Sequence, residues 1–219
     1  MPLNYDAEIF SQLDKPWDSI ARFLILTLPE LGWGSSHQEE VVMDVGCGPG
    51  RITSEFILPI FPQLKKIIAI DAVSSMIKLA RSMNPHPKIE YTVANFEDRA
   101  VMDLWKRQIT KLVCIQCFNR MSDQKEAFRR IYELLPPRGE AAFVFLLHNG
   151  YYDALPFLAK DPKWSSCLPQ NSEEYPPESH VKNYTSFHYK NMVEDLGFTV
   201  VYCKQVQNVT TFPSDEIYA

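Results

Sequence analysis

Positive charge is scarce in this sequence. Its 219 residues hold 22 Lys and Arg against 27 Asp and Glu, a net charge of −5. Binding to phosphate backbones needs clustered cations, and the pairs Lys65-Lys66 and Arg129-Arg130 stand alone as solvated faces do. No nucleic-acid partner is expected. Cysteine is sparse too: Cys47, Cys114, Cys117, Cys167 and Cys203 make an odd count with no framework spacing, so reduced thiols and a cytoplasmic location are the expectation. Cys114 and Cys117 form a single C-x-x-C. Its apolar setting, Leu112-Val113-Cys114-Ile115, reads as buried strand and not as a redox loop. A second C-x-x-C is missing, which argues against zinc or any other metal. No apolar run approaches the ~20 residues of a membrane span. The first residues show no basic segment leading into an apolar core, so no signal peptide is expected. No internal repeat is visible, and the sequence leaves the oligomeric state open.

What is present suits one globular domain: 46% hydrophobic and 22% charged residues, in a chain long enough for a full core. Apolar periodicity places a helix over 17–32, with Ile20, Phe23, Leu24, Leu26, Thr27 and Leu28 mostly on one side and Gly32 and Gly34 stopping it. A strand is expected at 40–45. A helix from about Arg51 must end near Leu58, because Pro59 and Pro62 cannot sit inside it. Strands follow at 66–70 and 89–93, separated by a helix opening at Ser74. The run 111–117 is nearly all apolar and reads as a central strand buried on both faces. Residues 124–135 form a helix with Ala127, Phe128, Ile131, Leu134 and Leu135 inward. Strand five spans 141–147. A Pro-, Tyr- and Ser-rich segment then covers 148–183, with a short helix at 152–160. A helix at 185–196 and a strand over 199–206, running on toward Thr211, complete the pattern. This alternation predicts an α/β fold, a doubly wound and mostly parallel sheet. Its parts are an N-terminal helical cap (1–38), a cofactor-binding core (40–147) and a substrate-side insertion (148–183).

Only eight glycines occur in the chain, and three of them fall at 46, 48 and 50. They follow the apolar run Val41-Val42-Met43-Asp44-Val45. A buried strand ends this way when it turns sharply and lets a ligand touch its backbone. Asp71 ends the next strand, where a carboxylate can accept hydrogen bonds from ribose hydroxyls. A dinucleotide would need G-x-G-x-x-G, but the third position here is Arg51 and Gly50 comes one residue early. Asp44 would also repel a pyrophosphate. A cofactor with no phosphate and a positive sulfonium fits that acid better, so S-adenosylmethionine is expected, with NAD a distant alternative.

Asp44-Val45-Gly46-Cys47-Gly48-Pro49-Gly50 resembles the first motif of Rossmann-like class I S-adenosylmethionine-dependent methyltransferases. Ile70-Asp71-Ala72-Val73-Ser74-Ser75-Met76 resembles their second, and Leu134-Leu135-Pro136-Pro137-Arg138-Gly139-Glu140 the turn before their strand five. The resemblance implies cofactor contacts from Asp44, Gly46, Cys47, Gly48, Gly50, Asp71, Ala72, Met76 and Cys114. The family's adenine-side acid corresponds to Asn95, a neutral acceptor. Phe96 beside it either packs on the adenine or fills the core.

A closer resemblance is to arthropod juvenile hormone acid O-methyltransferases and their paralogues. It is carried by Leu58-Pro59-Ile60-Phe61-Pro62, by Asp123-Gln124-Lys125-Glu126-Ala127-Phe128, by Tyr151-Tyr152-Asp153-Ala154 with Asp161-Pro162-Lys163-Trp164, and by Tyr175-Pro176-Pro177 with His180. The resemblance implies a lipophilic small acid as substrate. Where the family reads Leu-His-Trp after strand four, this chain has Phe118-Asn119-Arg120, which exchanges an aromatic ring for a cation. Arg120 either pairs with an acceptor carboxylate or faces solvent. A carboxylic acid is already ionised at neutral pH, so catalysis would rest on positioning and water exclusion. A hydroxyl or nitrogen acceptor would want a base, for which His148 is the best candidate; a bland loop histidine is the other reading. Phe10, Trp17, Tyr151, Tyr152, Phe157 and Trp164 either wall an apolar acceptor pocket or anchor the irregular segment to the sheet.

Class I methyltransferases close their sheet with an antiparallel pair of strands. This chain offers one candidate, 199–211, and then a helix-like turn capped by Ser214, so the C-terminal strand is expected to be missing. The expected consequence is an open edge at strand five and poor stability or self-association. A non-catalytic methyltransferase-like protein is therefore the further alternative.

Overall fold

The structure, a computed structural model, describes residues 7–8, 18–168 and 176–207. Five strands form one sheet: β1 (Glu40–Val45), β2 (Leu64–Asp71), β3 (Ile89–Val93), β4 (Lys111–Ile115) and β5 (Glu140–Val144). Their order is β3-β2-β1-β4-β5, and all four pairings are parallel. The order reverses between β1 and β4. The loops that leave these two strands therefore diverge and open a crevice at the carboxyl edge of the sheet, which is where such sheets bind ligands.

Alternation along the strands divides the core between two faces. Val42, Ile67, Ala69, Val113 and Ile115 point to one face. There they meet helix α1, which runs through Asp18–Arg22, a wider π-type stretch Phe23–Thr27 and a last turn Leu28–Glu30. The same face receives α2 (Thr53–Ile57, passing into a 3-10 turn at Leu58–Ile60) and α3 (Ser74–Met83). Met43, Val45, Ile68, Ile70, Leu112 and Cys114 point to the other face. It is covered by α4 (Arg99–Met102, extended by Asp103–Trp105), α5 (Gln124–Leu134) and α8 (Ser186–Glu194). Between β5 and α8 lie α6 (Gly150–Leu158) and α7 (Glu178–Val181).

Most elements follow the sequence pattern. α5 buries Ala127, Phe128, Ile131 and Leu134 and is capped by Asp123, whose side chain accepts from Glu126 N at 2.8 Å. Asn149 caps α6 in the same way through Tyr151 N, as short polar side chains do at helix starts. Pro59 falls at the start of the 3-10 turn, where its missing N–H costs nothing.

Four expectations need correction. In α1 the buried face is Ile20, Leu24 and Leu28, spaced by four; Leu26 lies across the helix and is exposed. β4 ends at Ile115 and not at Cys117, because Gln116 takes a left-handed φ of +55°. The chain between β3 and β4, for which no element was expected, forms α4. Finally, 199–206 makes no strand. A strand needs a ladder partner, and no described strand pairs with this segment, so Val201 and Val206 stay exposed. Phe198 turns in instead and packs edge-on against Tyr132 at 5.2 Å. Among the described residues β5 is a sheet edge. The anticipated continuation to Thr211, the Ser214 cap, Phe10 and Trp17 lie outside the described residues.

Leu112 in β4 is fully buried, whereas Leu104 is 67% exposed. Leu112→Ala should lower the unfolding free energy by about 3 kcal/mol. Leu104→Ala should change it by less than about 0.5 kcal/mol. Urea denaturation midpoints of the two variants check this layering.

Candidate cofactor site

β1 and β2 are neighbours, so the glycine loop leaving β1 meets the end of β2. The N–H groups of Gly46 and Cys47 both donate to the Ile70 carbonyl, at 2.8 and 3.0 Å. Gly48 N then donates to Asp71 Oδ2 at 3.0 Å, and Val73 N donates to Asp71 Oδ1 at 2.8 Å. Asp71 thus ties the loop to the start of α3. Each carboxylate oxygen keeps a further lone pair for a ligand hydroxyl.

Two glycines are required by close approach as well as by their left-handed φ values of +76° and +83°. A Cβ on Gly46 would fall on the Cβ and Sγ of Cys117, and one on Gly50 would lie 2.7 Å from the Tyr91 hydroxyl. Asn84 closes the loop from α3. Its Nδ2 donates to the Pro49 carbonyl at 2.8 Å, and its Oδ1 accepts from Ser54 Oγ at 3.0 Å.

Two carboxyl groups sit under this loop, and among the described residues neither forms a salt bridge. Asp44 is 2% exposed, and its Oδ2 accepts from Thr53 Oγ1 at 2.6 Å. Burial pushes it up from an ordinary 3.8 to about 7; the Thr53 hydrogen bond opposes this and the nearby Asp71 charge adds to it. Asp71 is also raised, by burial, against the pull of its two backbone donors. The same acids, after burial, hold the Cys47 thiol well up.

The remaining expected residues are distributed around this centre. Ala72 is exposed and Met76 buried at the first turn of α3. Asn95 is exposed beyond β3, with its Oδ1 accepting from Glu97 N. Phe96 is buried in the core with Met102 and Ile109. Cys114 is buried at the end of β4.

On the acceptor side, Asn119 is buried with no partner for its Oδ1, and Arg120 is exposed. His148 is exposed, and its Nε2 lies 3.2 Å from the Tyr184 carbonyl. Of the insertion's rings Tyr152 is buried, while Tyr151, Phe157 and Trp164 are exposed. α8, which follows the insertion, is tied to α5 by Tyr189, whose hydroxyl donates to Gln124 Oε1 at 2.6 Å. Sequence reasoning did not find Thr53, Asn84, Tyr91 or Cys117. Thr53 has a faint signal as a hydroxyl two residues into the helix; the others act from distant positions and carry none.

A family model described as a methyltransferase domain matches residues 12–202. The chain is 25% identical over 171 residues to a juvenile hormone acid O-methyltransferase of Bombyx mori, covering 78% of this chain and 60% of that protein. To the Drosophila melanogaster protein of the same name it is 23% identical over 165 residues, covering 74% and 55%. The chain thus spans little more than half the length of these curated relatives. Among solved structures it resembles a SAM dependent methyltransferase from Aquifex aeolicus, with TM-score 0.55, 17% identity and 88% of each chain covered.

Asp44 binds its proton more tightly folded than unfolded. Its contribution to stability is therefore complete below the unfolded value of 3.8 and is lost as pH rises through about 7. Without ligand, Asp44→Asn should become progressively more stable relative to the wild type between about pH 4 and pH 7, the difference levelling off above that. Thermal melts across that range read the effect, and parallel curves would show that Asp44 does not titrate there.

Proposed function

This chain belongs to the methyltransferase domain family, and from that premise we propose that it is an S-adenosylmethionine-dependent methyltransferase acting on the carboxylate of a lipophilic small acid. The observation that carries the cofactor reading is the pair of acids beneath the glycine loop, Asp44 buried and Asp71 half-buried. Both are raised by burial, so a cation placed over them is favoured, while a pyrophosphate would add to the repulsion. S-adenosylmethionine supplies a methyl group activated on a sulfonium. Asp71 accepts the ribose hydroxyls with its spare lone pairs. Asp44 sets the negative potential of the pocket. The backbone of 46–50 lies against the ligand because its glycines leave room. Asn95 hydrogen-bonds on the adenine side, and Phe96 supports that wall from the core.

The acceptor reading rests on the two juvenile hormone acid O-methyltransferases, whose names state their substrate, and on the aromatic character of the insertion. A carboxylate needs no base at neutral pH. The protein's task is then to hold one oxygen in line with the methyl group and to keep water out. Arg120, exposed at the rim beyond β4, pairs with the carboxylate; Asn119 and His148 orient it.

Incubating the purified chain with labelled S-adenosylmethionine and a panel of farnesoic acid, medium-chain fatty acids, phenols and amines tests this. Methyl esters are the expected products, and Arg120→Ala should raise KM for the acid roughly tenfold at unchanged cofactor affinity. Transfer to phenols or amines alone would overturn the acceptor reading and leave the cofactor reading standing.

A further inference from the structure

The C-x-x-C at 114–117 does not lie along one strand. β4 stops at Ile115, and Gln116 turns the chain in the left-handed region with φ +55°. Its N–H is anchored on the Val144 carbonyl at 2.6 Å. This turn folds Cys117 back to the face of the sheet that Cys114 occupies, where both join the core beneath α4, α5 and α8. Both side chains belong to that one packed cluster, and the neighbouring Cys117 thiol, ahead of burial, pushes the Cys114 thiol up. Cys47 is on the opposite face and is not part of the pair. Cys114 is 1% exposed, whereas Cys117 is half-buried. Cys117 also fills the space in front of Gly46, the first residue of the glycine loop.

We propose that Cys114 and Cys117 form a reversible oxidation site that controls the shape of the cofactor loop. A peroxide reaches Cys117 first. The Cys117 sulfur takes one peroxide oxygen, the O–O bond breaks, and one water leaves with the thiol proton. The Cys114 sulfur then attacks the Cys117 sulfur. The S–S bond forms as the S–O bond breaks, and a second water carries off the Cys114 proton. Two thiols have lost two electrons and two protons, and one peroxide has become two waters. Placement favours this closure over further oxidation of Cys117, because the resolving thiol lies three residues away in the same packed cluster. Closing the bond draws the Cys117 sulfur from Gly46 toward Cys114. It also repositions the 3-10 turn Phe118–Arg120, whose first bond runs from Arg120 N to the Cys117 carbonyl at 2.9 Å. The loop that must lie against the cofactor loses its support from one side. A dithiol restores it.

The effect on binding rests on the S-adenosylmethionine reading; the disulfide itself does not. Hydrogen peroxide is added to the purified chain, which is then alkylated, digested and weighed. S-adenosylmethionine is titrated by calorimetry before peroxide, after it, and after dithiothreitol. The expected result is a loss of two hydrogens confined to the peptide holding 114 and 117, with about tenfold weaker cofactor affinity that dithiothreitol recovers. Cys117→Ser should keep through peroxide whatever affinity it starts with. The proposal is overturned if Cys114 and Cys117 are both still alkylated once exposed Cys203 has oxidised. It is equally overturned if the bond forms at unchanged affinity, or if Cys117→Ser loses affinity as the wild type does. A protein that binds no S-adenosylmethionine in any state would instead sink the cofactor reading, with the mass still reporting on the thiol pair.

Discussion

The end of β2 holds the site together. One carbonyl, that of Ile70, accepts from two successive N–H groups of the glycine loop, and the next residue's carboxylate takes a third. Three consecutive donors of the loop are thereby spent on β2, so the loop cannot swing away from it. This works only because β1 and β2 are parallel neighbours in register, Val45 opposite Ile70. It also needs a chain without side chains at 46 and 50, since Cys117 and Tyr91 stand where those side chains would be. Sheet register, loop conformation and the packing of two distant residues are a single constraint.

That constraint places Asp44 in the interior and Asp71 half-buried beside it, with no salt bridge to either among the described residues. Removing a carboxylate from water is costly, and the rise of both Asp44 and Asp71 is the response. The hydrogen bond from Thr53 and the two backbone donors to Asp71 recover part of the cost. The remainder is stored as a preference for a positive or hydroxyl-bearing ligand, which is how a site can give up stability for affinity. Asp71 divides its lone pairs between holding the loop and receiving a ligand, so loop geometry and ligand binding are coupled through one side chain.

The parts of this arrangement carried by local pattern were legible in the sequence. The apolar run into Asp44, the glycines and the strand-ending Asp71 are local signals, and they mark this edge of the sheet from the sequence alone. The four-residue rhythm of α5 and the burial of β4 were equally local. What escaped depends on pairing across the fold. Tyr91 and Asn84 are needed at Gly50 and Pro49 only once β3 and α3 are in place. Cys117 reads as strand because its neighbours are apolar; nothing local announces that Gln116 will adopt a left-handed turn. The region 199–206 has strand-like composition, yet β propensity chiefly measures fit to a neighbouring strand, and no described strand pairs with it. In α1 the error lay in counting apolar residues and not their angular positions.

The two sides of the crevice are built differently. The cofactor side is backbone-rich, with donors and acceptors fixed by the sheet itself. The proposed acceptor side consists of the 3-10 turn Phe118–Arg120 and helices joined to the body by side chains such as Tyr189 on Gln124 and the buried Tyr152. A site of this kind can change its acceptor by altering a few residues at 118–120 and in the insertion while the cofactor half stays intact. Replacement of an aromatic ring by Arg120 is a change of that sort. It alters what the rim attracts without touching a hydrogen bond of the glycine loop. The short turn from Cys114 to Arg120 meets Gly46 through Cys117 at one end and carries the proposed acceptor residues Asn119 and Arg120 at the other, so a change in its shape bears on both.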